Sequence, residues 1–340
     1  MPELRKDPIV GRWVIISTER RARPNDFKVQ ASTPRGGVCP FCPGNEHLTP
    51  PEIMAYRDDG SQKNGPGWTL RVVPNKFPAL RIEGDLGKTG VGIYDKMNGV
   101  GAHELIIESP NHQDTPSTIS VSAFKNLLWA YRERLVDLKK DKRFRYILIL
   151  KNHGEQAGAS LEHTHSQLIA LPIIPQSVVI ELQGCQAFYQ YRDRCIFCDI
   201  IRQEEDDAKR LVFSSPNFLV IAPYASRFPF ETWILPRKHA ATFEEATVED
   251  MEDLAQVFSE TLKRLDKVVN HPPYNFILHT APFDGRFPAT QEYYHWHFEI
   301  MPILTRVAGF EWGTGFFINP MPPEEAAKFL KEANQFGSGF

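Results

Sequence analysis

The chain has 340 residues, of which 42% are hydrophobic and 24% charged, with a formal net charge of -3. This balance allows a sizeable core and excludes general disorder. It lacks the basic excess of a nucleic-acid-binding surface, and the length points to about two domains. No run approaches the ~20 apolar residues that span a bilayer. Met1-Pro-Glu-Leu-Arg-Lys-Asp7 has no apolar signal core, so a cytoplasmic protein without membrane partners is expected.

In chain order, Gly11–Ser17 reads as a strand from its aromatic and β-branched content. It runs into a basic cluster, Arg20, Arg21 and Arg23, placed where a strand end could clamp a phosphate; an ordinary surface charge run is the alternative. Cys39-Pro-Phe-Cys42 is the first of two Cys-x-x-Cys knuckles and is followed by a loop, residues 43–51. Residues 70–78 read as a strand stopped by Pro74 and Pro78, and residues 101–108 as another closed by Ser109-Pro-Asn-His112. Residues 120–138 predict a helix, with Phe124, Leu127, Leu128, Tyr131, Leu135 and Leu138 on one face.

The apolar run Tyr146–Leu150 leads into a Gly/Ala/Ser loop and then His163-Thr-His165-Ser-Gln167. In extended chain the two-residue period puts His163, His165 and Gln167 on one face, with Thr164 and Ser166 on the other. Two imidazoles and an amide beside a glycine loop that includes Gly158 are equipment for phosphate chemistry, because such a loop brings backbone N–H groups close to an anion. Half-buried structural histidines are the bland alternative.

The second half repeats the order of the first: knuckle, strand, strand followed by His, helix, strand, loop, His-x-His. Its parts are Cys195-Ile-Phe-Cys198, the strands at 211–213, 218–222 and 231–236, His239, and a helix capped at Thr247. The strand Tyr274–Leu278 and Tyr294-His-Trp-His297 complete it, and a last helix spans 324–333. Duplication of one α/β unit accounts for this order. The expected division is 1–178 for the first repeat and 179–340 for the second.

Without a secretion signal the five cysteines are not expected to be disulfide staples. A redox pair should open a helix after a strand, whereas Cys42 is followed at once by Pro43-Gly44. Metal binding is the better reading. Zinc prefers four Cys and His ligands in a tetrahedron, and the repeat nominates Cys39, Cys42, His112 and His163 for one ion, and Cys195, Cys198, His239 and His295 for a second. Iron stays open for the second site.

These residues resemble the galactose-1-phosphate uridylyltransferase family, a branch of the histidine-triad superfamily. The resemblance runs over nearly the whole chain. It rests on Trp13, Arg20-x-x-Arg23-Pro24, Cys39-x-x-Cys42, Asn75-x-Phe-Pro-Ala-Leu80 and Ser109-Pro-x-His112. It continues through Asn152, Gly158-x-Ser160-x-x-His163-x-His165-x-Gln167 and His295-x-His297. It implies an α+β fold of two tandem histidine-triad-like repeats, each an antiparallel sheet with helices, forming one duplicated unit. It also implies that His165 attacks the α-phosphorus of a nucleotide sugar, leaving a nucleotidyl-histidine and releasing sugar 1-phosphate. Gln167 would donate to a phosphoryl oxygen and Ser160 its hydroxyl, while Arg20, Arg23, Asn75 and Asn152 hold nucleotide or phosphate.

The partners so implied are a nucleotide sugar, a sugar 1-phosphate or inorganic phosphate, and a second copy of the chain. The UDP-glucose:hexose-1-phosphate reaction is the first reading. Thr164 and Ala159 stand where the better-known uridylyltransferases have Pro and Cys, and the tail 306–319 departs from theirs. In this the chain resembles the branch that includes ADP-glucose phosphorylases, the alternative reading. A non-catalytic, zinc-bound nucleotide-binding protein is the reading from outside enzymology. His297 is followed by Glu299 where Gln167 stands in the first half, so the second His-x-His is expected to be a remnant that bears metal and contacts substrate.

Overall fold

The computed structural model describes residues 1–17, 23–27, 36–57 and 60–333. A hairpin of β1 (Glu3–Lys6) and β2 (Trp13–Ile16) starts the chain. The strands β3 (Met54–Arg57) and β4 (Trp68–Pro74) follow, then a small exposed hairpin of β5 (Thr89–Val91) and β6 (Tyr94–Lys96), then β7 (Ala102–Ile107). Helix α1 (Val121–Leu138) separates β7 from β8 (Tyr146–His153), and β9 (His165–Leu171) closes the first unit. Helices α2 (Gln176–Arg192) and α3 (Ile196–Asp207) bridge to β10 (Leu211–Ser214), β11 (Phe218–Ile221) and β12 (Thr232–Pro236). Then come α4 (Val248–Val269), β13 (Tyr274–His279), a single turn α5 (Thr290–Tyr293) and β14 (His297–Pro302). A short α6 (Gly309–Thr314), β15 (Phe317–Asn319) beside β2, and α7 (Pro323–Glu332) end the described chain.

Ten strands form one antiparallel sheet in the order β10-β11-β12-β14-β13-β8-β9-β7-β4-β3. From either outer edge inward, the third strand is followed by the fifth and then the fourth of its unit. The two halves therefore have one topology, and they meet where β13 pairs β8 over Tyr274↔His153 to Leu278↔Ile149. The duplication read from the sequence is present as a ten-stranded α+β structure.

Helices α1 and α4 lie together on one face. Ser120 caps α1 by accepting from the Ala123 N–H, and Thr247 and Asp250 form a reciprocal capping box on α4, so both helices start where a side chain satisfies free amides. Their apolar stripes bury Phe124, Leu128, Leu135, Leu254, Phe258 and Leu262 against the sheet. Phe124 and Phe258 stack across the two halves with centroids 5.0 Å apart. On the opposite face the second half is covered by α2, α3 and the segment around Ile9. Among the described residues the first half carries there a small cluster of Phe41, Trp68, Val73 and Ile107.

Two departures from the sequence reading have physical causes. The strand β8 continues through Lys151, Asn152 and His153, beyond the apolar run, because Tyr274, Asn275 and Phe276 pair with it. The helices α2 and α3 were not expected; α2 buries only Val178, Glu181, Leu182 and Cys185, too sparse a stripe to read. Its Gly184 has a steric task, since a Cβ there would lie 1.8 Å from the Ile9 carbonyl oxygen. Among the described residues no helix is long and apolar enough to cross a membrane.

Candidate active site and metal centres

In β9 the alternation of side chains does what the sequence reading expects. Leu168 and Ala170 enter the core beneath α1, where Ser166 bonds the Tyr131 hydroxyl at 2.5 Å. His165 and Gln167 turn to the other face, opposite Ile107 and Leu105 of β7. The His165 Nδ1–H donates to the carbonyl of His163 at 2.8 Å. That bond assigns the proton to Nδ1 and leaves the lone pair on Nε2. His165 is 6% exposed, with Phe41 edge-on at 5.2 Å. Burial, aided by the nearby Lys151 ammonium, lowers its pKa to about 4, so the imidazole is neutral near pH 7.

Behind the strand lies a buried polar network. Lys151 Nζ donates to Glu108 at 2.8 Å, to Thr164 Oγ1 at 2.9 Å and to the His165 carbonyl at 2.8 Å. The hydroxyls of Thr164 and Ser166 also donate to Glu108. Lys151 and Glu108 are each about as buried as an apolar core residue, and the cation and these donors hold the carboxyl below its usual range despite that burial. The backbone of His165 is thus held from within the core.

The four side chains nominated for the first metal converge. Cys39, Cys42, His112 and His163 bring their ligand atoms within 4.8 Å of one another. Cys42 Sγ lies 3.4 Å from His112 Nδ1 and 3.6 Å from His163 Nδ1, and Cys39 Sγ 3.6 Å from His163 Nδ1. The His163 Nε2–H donates to the Ser109 carbonyl at 2.7 Å, which leaves Nδ1 with its lone pair toward the thiols. The second set repeats this. Cys195, Cys198, His239 and His295 converge within the same limit, with the Nε2–H groups of His239 and His295 donating to the carbonyls of Gln291 (2.7 Å) and Pro236 (2.8 Å). Both clusters could hold a metal ion.

A third cluster escaped the sequence reading: Glu181 on α2, His279 at the end of β13, and His297. His279 Nδ1 meets Glu181 at 2.9 Å, and its ring stacks on His297 at 4.6 Å. Glu299 lies beside it and pairs with Arg227. The two carboxylates hold His279 protonated up to about 10, while burial beside that cation lowers His297 to about 4. The register that pairs His279 with His297 could have revealed two members; Glu181 lies on the helix that was not read.

The other expected residues are placed as follows. Asn75 sits against His103, its Nδ2 3.1 Å from His103 Nε2, and His103 in turn meets Gln167. Asn152 accepts from Asn275 Nδ2 at 2.8 Å, and Asn275 also holds the Ala157 carbonyl, so this pair shapes the loop before the histidines. Gly158 closes that loop at φ 90°, a left-handed conformation that favours glycine. Ser160 lies exposed in the same loop. Arg23 is exposed ahead of a turn, Pro24–Asp26, that packs against α4 on the helix side of the sheet, away from the face of His165. Arg20 lies outside the described residues.

The family model described as galactose-1-phosphate uridyl transferase, N-terminal domain, matches residues 1–175, and that of its C-terminal domain matches residues 181–328. An ADP-glucose phosphorylase of Arabidopsis thaliana is 37% identical over 98% of this chain and 93% of its own length. A galactose-1-phosphate uridylyltransferase of Thermotoga maritima is 28% identical over 98% of each. Among solved structures, an ADP-glucose phosphorylase from Arabidopsis thaliana with bound ADP-glucose superposes with a TM-score of 0.82 at 35% identity, covering 98% of this chain and 99% of that one. With both domain models matched in order over most of its length, and with a 37% identical relative matched over 98% of it, the chain belongs to the galactose-1-phosphate uridyl transferase family.

Proposed function

We propose that the chain is a nucleotidyltransferase working by two displacements at His165. The Nε2 lone pair attacks the α-phosphorus of a nucleotide sugar, the bond from that phosphorus to the sugar-phosphate oxygen breaks, and sugar 1-phosphate departs. An oxygen of the acceptor phosphate then attacks the nucleotidyl-His165, and the phosphorus–nitrogen bond breaks to return the free imidazole. Ping-pong kinetics follow. The observation that carries this reading is the Nδ1–H bond from His165 to the His163 carbonyl, which sets Nε2 free on a buried, neutral ring. Gln167 and the loop of Gly158 and Ser160 are suited to neutralise phosphoryl oxygens, with Asn75 nearby for the nucleotide.

Family membership supports a UDP-hexose donor with a hexose 1-phosphate acceptor. The 37% identity to an ADP-glucose phosphorylase, against 28% to a uridylyltransferase, favours a second reading, transfer of AMP from ADP-glucose to phosphate. Intact-protein mass after brief exposure to each nucleotide sugar tests both, with His165→Ala alongside. A UMP or an AMP adduct, absent in the variant, names the donor. No adduct with either, and unchanged nucleotide affinity in His165→Ala, would leave a non-catalytic binding protein.

Zinc is the ion we assign to the two Cys2His2 clusters. A tetrahedron with Zn–S of ~2.3 Å and Zn–N of ~2.05 Å has S···N edges of ~3.6 Å; the thiol to Nδ1 distances are 3.4–3.6 Å in the first cluster and 3.4–4.0 Å in the second. Bound there, zinc would supply rigidity, tying a knuckle, a mid-unit loop and a His-x-His strand together. Residues 1–178 then form the catalytic repeat and 179–340 a second metal-bearing repeat. The place of Arg23, across the sheet from His165 in its own chain, supports a homodimer in which it serves the other copy's nucleotide.

A further inference from the structure

His103 has no role in the reaction as described, yet it touches the amide that faces the phosphate. We propose that His103 is a positioning residue that sets which end of the Gln167 carboxamide points at the phosphoryl oxygens; this rests on the proposed nucleotidyl transfer. The argument starts from a donor that cannot be reversed. The backbone N–H of Ala79 donates to His103 Nδ1 at 3.1 Å. A neutral imidazole whose Nδ1 accepts carries its proton on Nε2. The group in front of Nε2 is Gln167 Oε1 at 2.8 Å. Amide oxygen and nitrogen are assigned from the network around them, and with the backbone donor of Ala79 as the fixed point, His103 donates and Gln167 presents its oxygen. Its NH2 then points away from His103, and among the described residues no group accepts from it.

Asn75 opposes this tautomer: its oxygen accepts from the Phe77 N–H at 2.9 Å, which turns its Nδ2 donor to within 3.1 Å of His103 Nε2. The side chain of Asn75 can turn about its own torsions, whereas the Ala79 N–H belongs to the backbone, and that fixed donor decides the assignment. The segment carrying Ala79 is tied to the chain just before β7 by the Arg81 N–H to Gly99 carbonyl (3.0 Å) and Gly101 N–H to Arg81 carbonyl (2.8 Å) bonds. Gly101 permits that approach, since a Cβ there would meet the Ala170 carbonyl oxygen at 2.4 Å and Leu80. The run from Asn75 to Leu80 is therefore the support that aims one hydrogen bond. A carboxamide turned over would present an oxygen to phosphoryl oxygens, exchanging attraction for repulsion.

The test is the rate of nucleotidyl-enzyme formation with whichever of UDP-glucose and ADP-glucose the wild type accepts. His103→Ala is expected to slow that step by about 10²-fold, the scale of losing one aligned donor, with donor KM changed less than ~threefold. His103→Gln, whose Nε2–H can reach the place of the ring Nε2–H, is expected to stay within ~tenfold of wild type, and His103→Asn, which cannot reach it, to match His103→Ala. In a Gln167→Ala background the cost of His103→Ala should vanish, because the two act as one unit. Equal costs in both backgrounds, or a wild-type rate for His103→Ala, would overturn the proposal. Should His103→Ala fold poorly, nitrogen-15 shifts of the wild-type imidazole decide instead: a proton on Nε2 is expected, and a proton on Nδ1 overturns it. No adduct in the wild type would sink the transfer reading itself, and this proposal with it.

Discussion

The ammonium of Lys151 and the carboxylate of Glu108 form an ion pair 2.8 Å long that is buried directly behind the backbone of His165. Breaking such a pair on one side leaves an uncompensated charge in the core and costs about 3–5 kcal/mol. Lys151→Met and Glu108→Leu are each expected to lower the free energy of unfolding in urea by that order. The double replacement Lys151→Met, Glu108→Leu is expected to recover part of the loss, since the unpaired charge is then gone. Strict additivity of the single costs would show that the pair is not coupled.

Metal content separates the two halves. Cys39→Ser is expected to remove about one zinc per chain and to slow adduct formation by more than ~tenfold, because its cluster includes His163, two residues from His165. Cys195→Ser is expected to remove a similar amount while leaving the adduct rate within ~threefold. Metal analysis of purified variants reads this directly. Two equivalents retained in either variant would refute the assigned ligands.

The stacked rings of Phe124 and Phe258 lie at the contact of α1 with α4, one helix from each repeat. Phe258→Ala should open a cavity there and cost about 3–5 kcal/mol in chemical denaturation. Zinc content should not change. A loss below ~1 kcal/mol would mean that the two helices close over the gap.

Acid stability should depend on His153. Its ring stacks on Tyr274 at 4.7 Å, and burial, with the Lys151 ammonium nearby, lowers its pKa to about 4. The unfolded chain takes up this proton near pH 6.5, so between 6.5 and 4 the unfolded state binds more protons. The contribution is fully present above pH ~6.5 and is lost as pH falls toward 4, at up to ~1.4 kcal/mol per pH unit. In urea melts at pH 7 and pH 5.5, His153→Phe should lose less stability than wild type. Equal losses would show an ordinary imidazole.

Much of the site was legible because its members sit at short, fixed spacings. His163-x-His165-x-Gln167 and the two knuckles each lie within a few residues, so strand period and ligand chemistry reach them without knowledge of the fold. The far ligands, His112 and His239, became legible through the repeat. His103 did not, because it meets Gln167 across 64 residues of chain through the pairing of β7 with β9. Glu181 was missed for a different reason: the sparse apolar stripe of α2 hid the helix that delivers it. Lys151 lay just past the apolar run that reads as a strand, and nothing local names Glu108 as its partner. Long-range register, more than residue type, is what single-sequence reasoning lacks here.

The pairing of β8 with β13 takes an edge from each unit out of reach of water and of other chains. A unit produced alone would expose, along β8 or β13, a row of unpaired N–H and C=O groups flanked by apolar side chains, a template for unwanted strand addition. Each repeat thus shields the vulnerable border of the other. The second repeat, with Glu299 where the first has Gln167, covers the β8 edge of the first through β13, whatever its own chemistry.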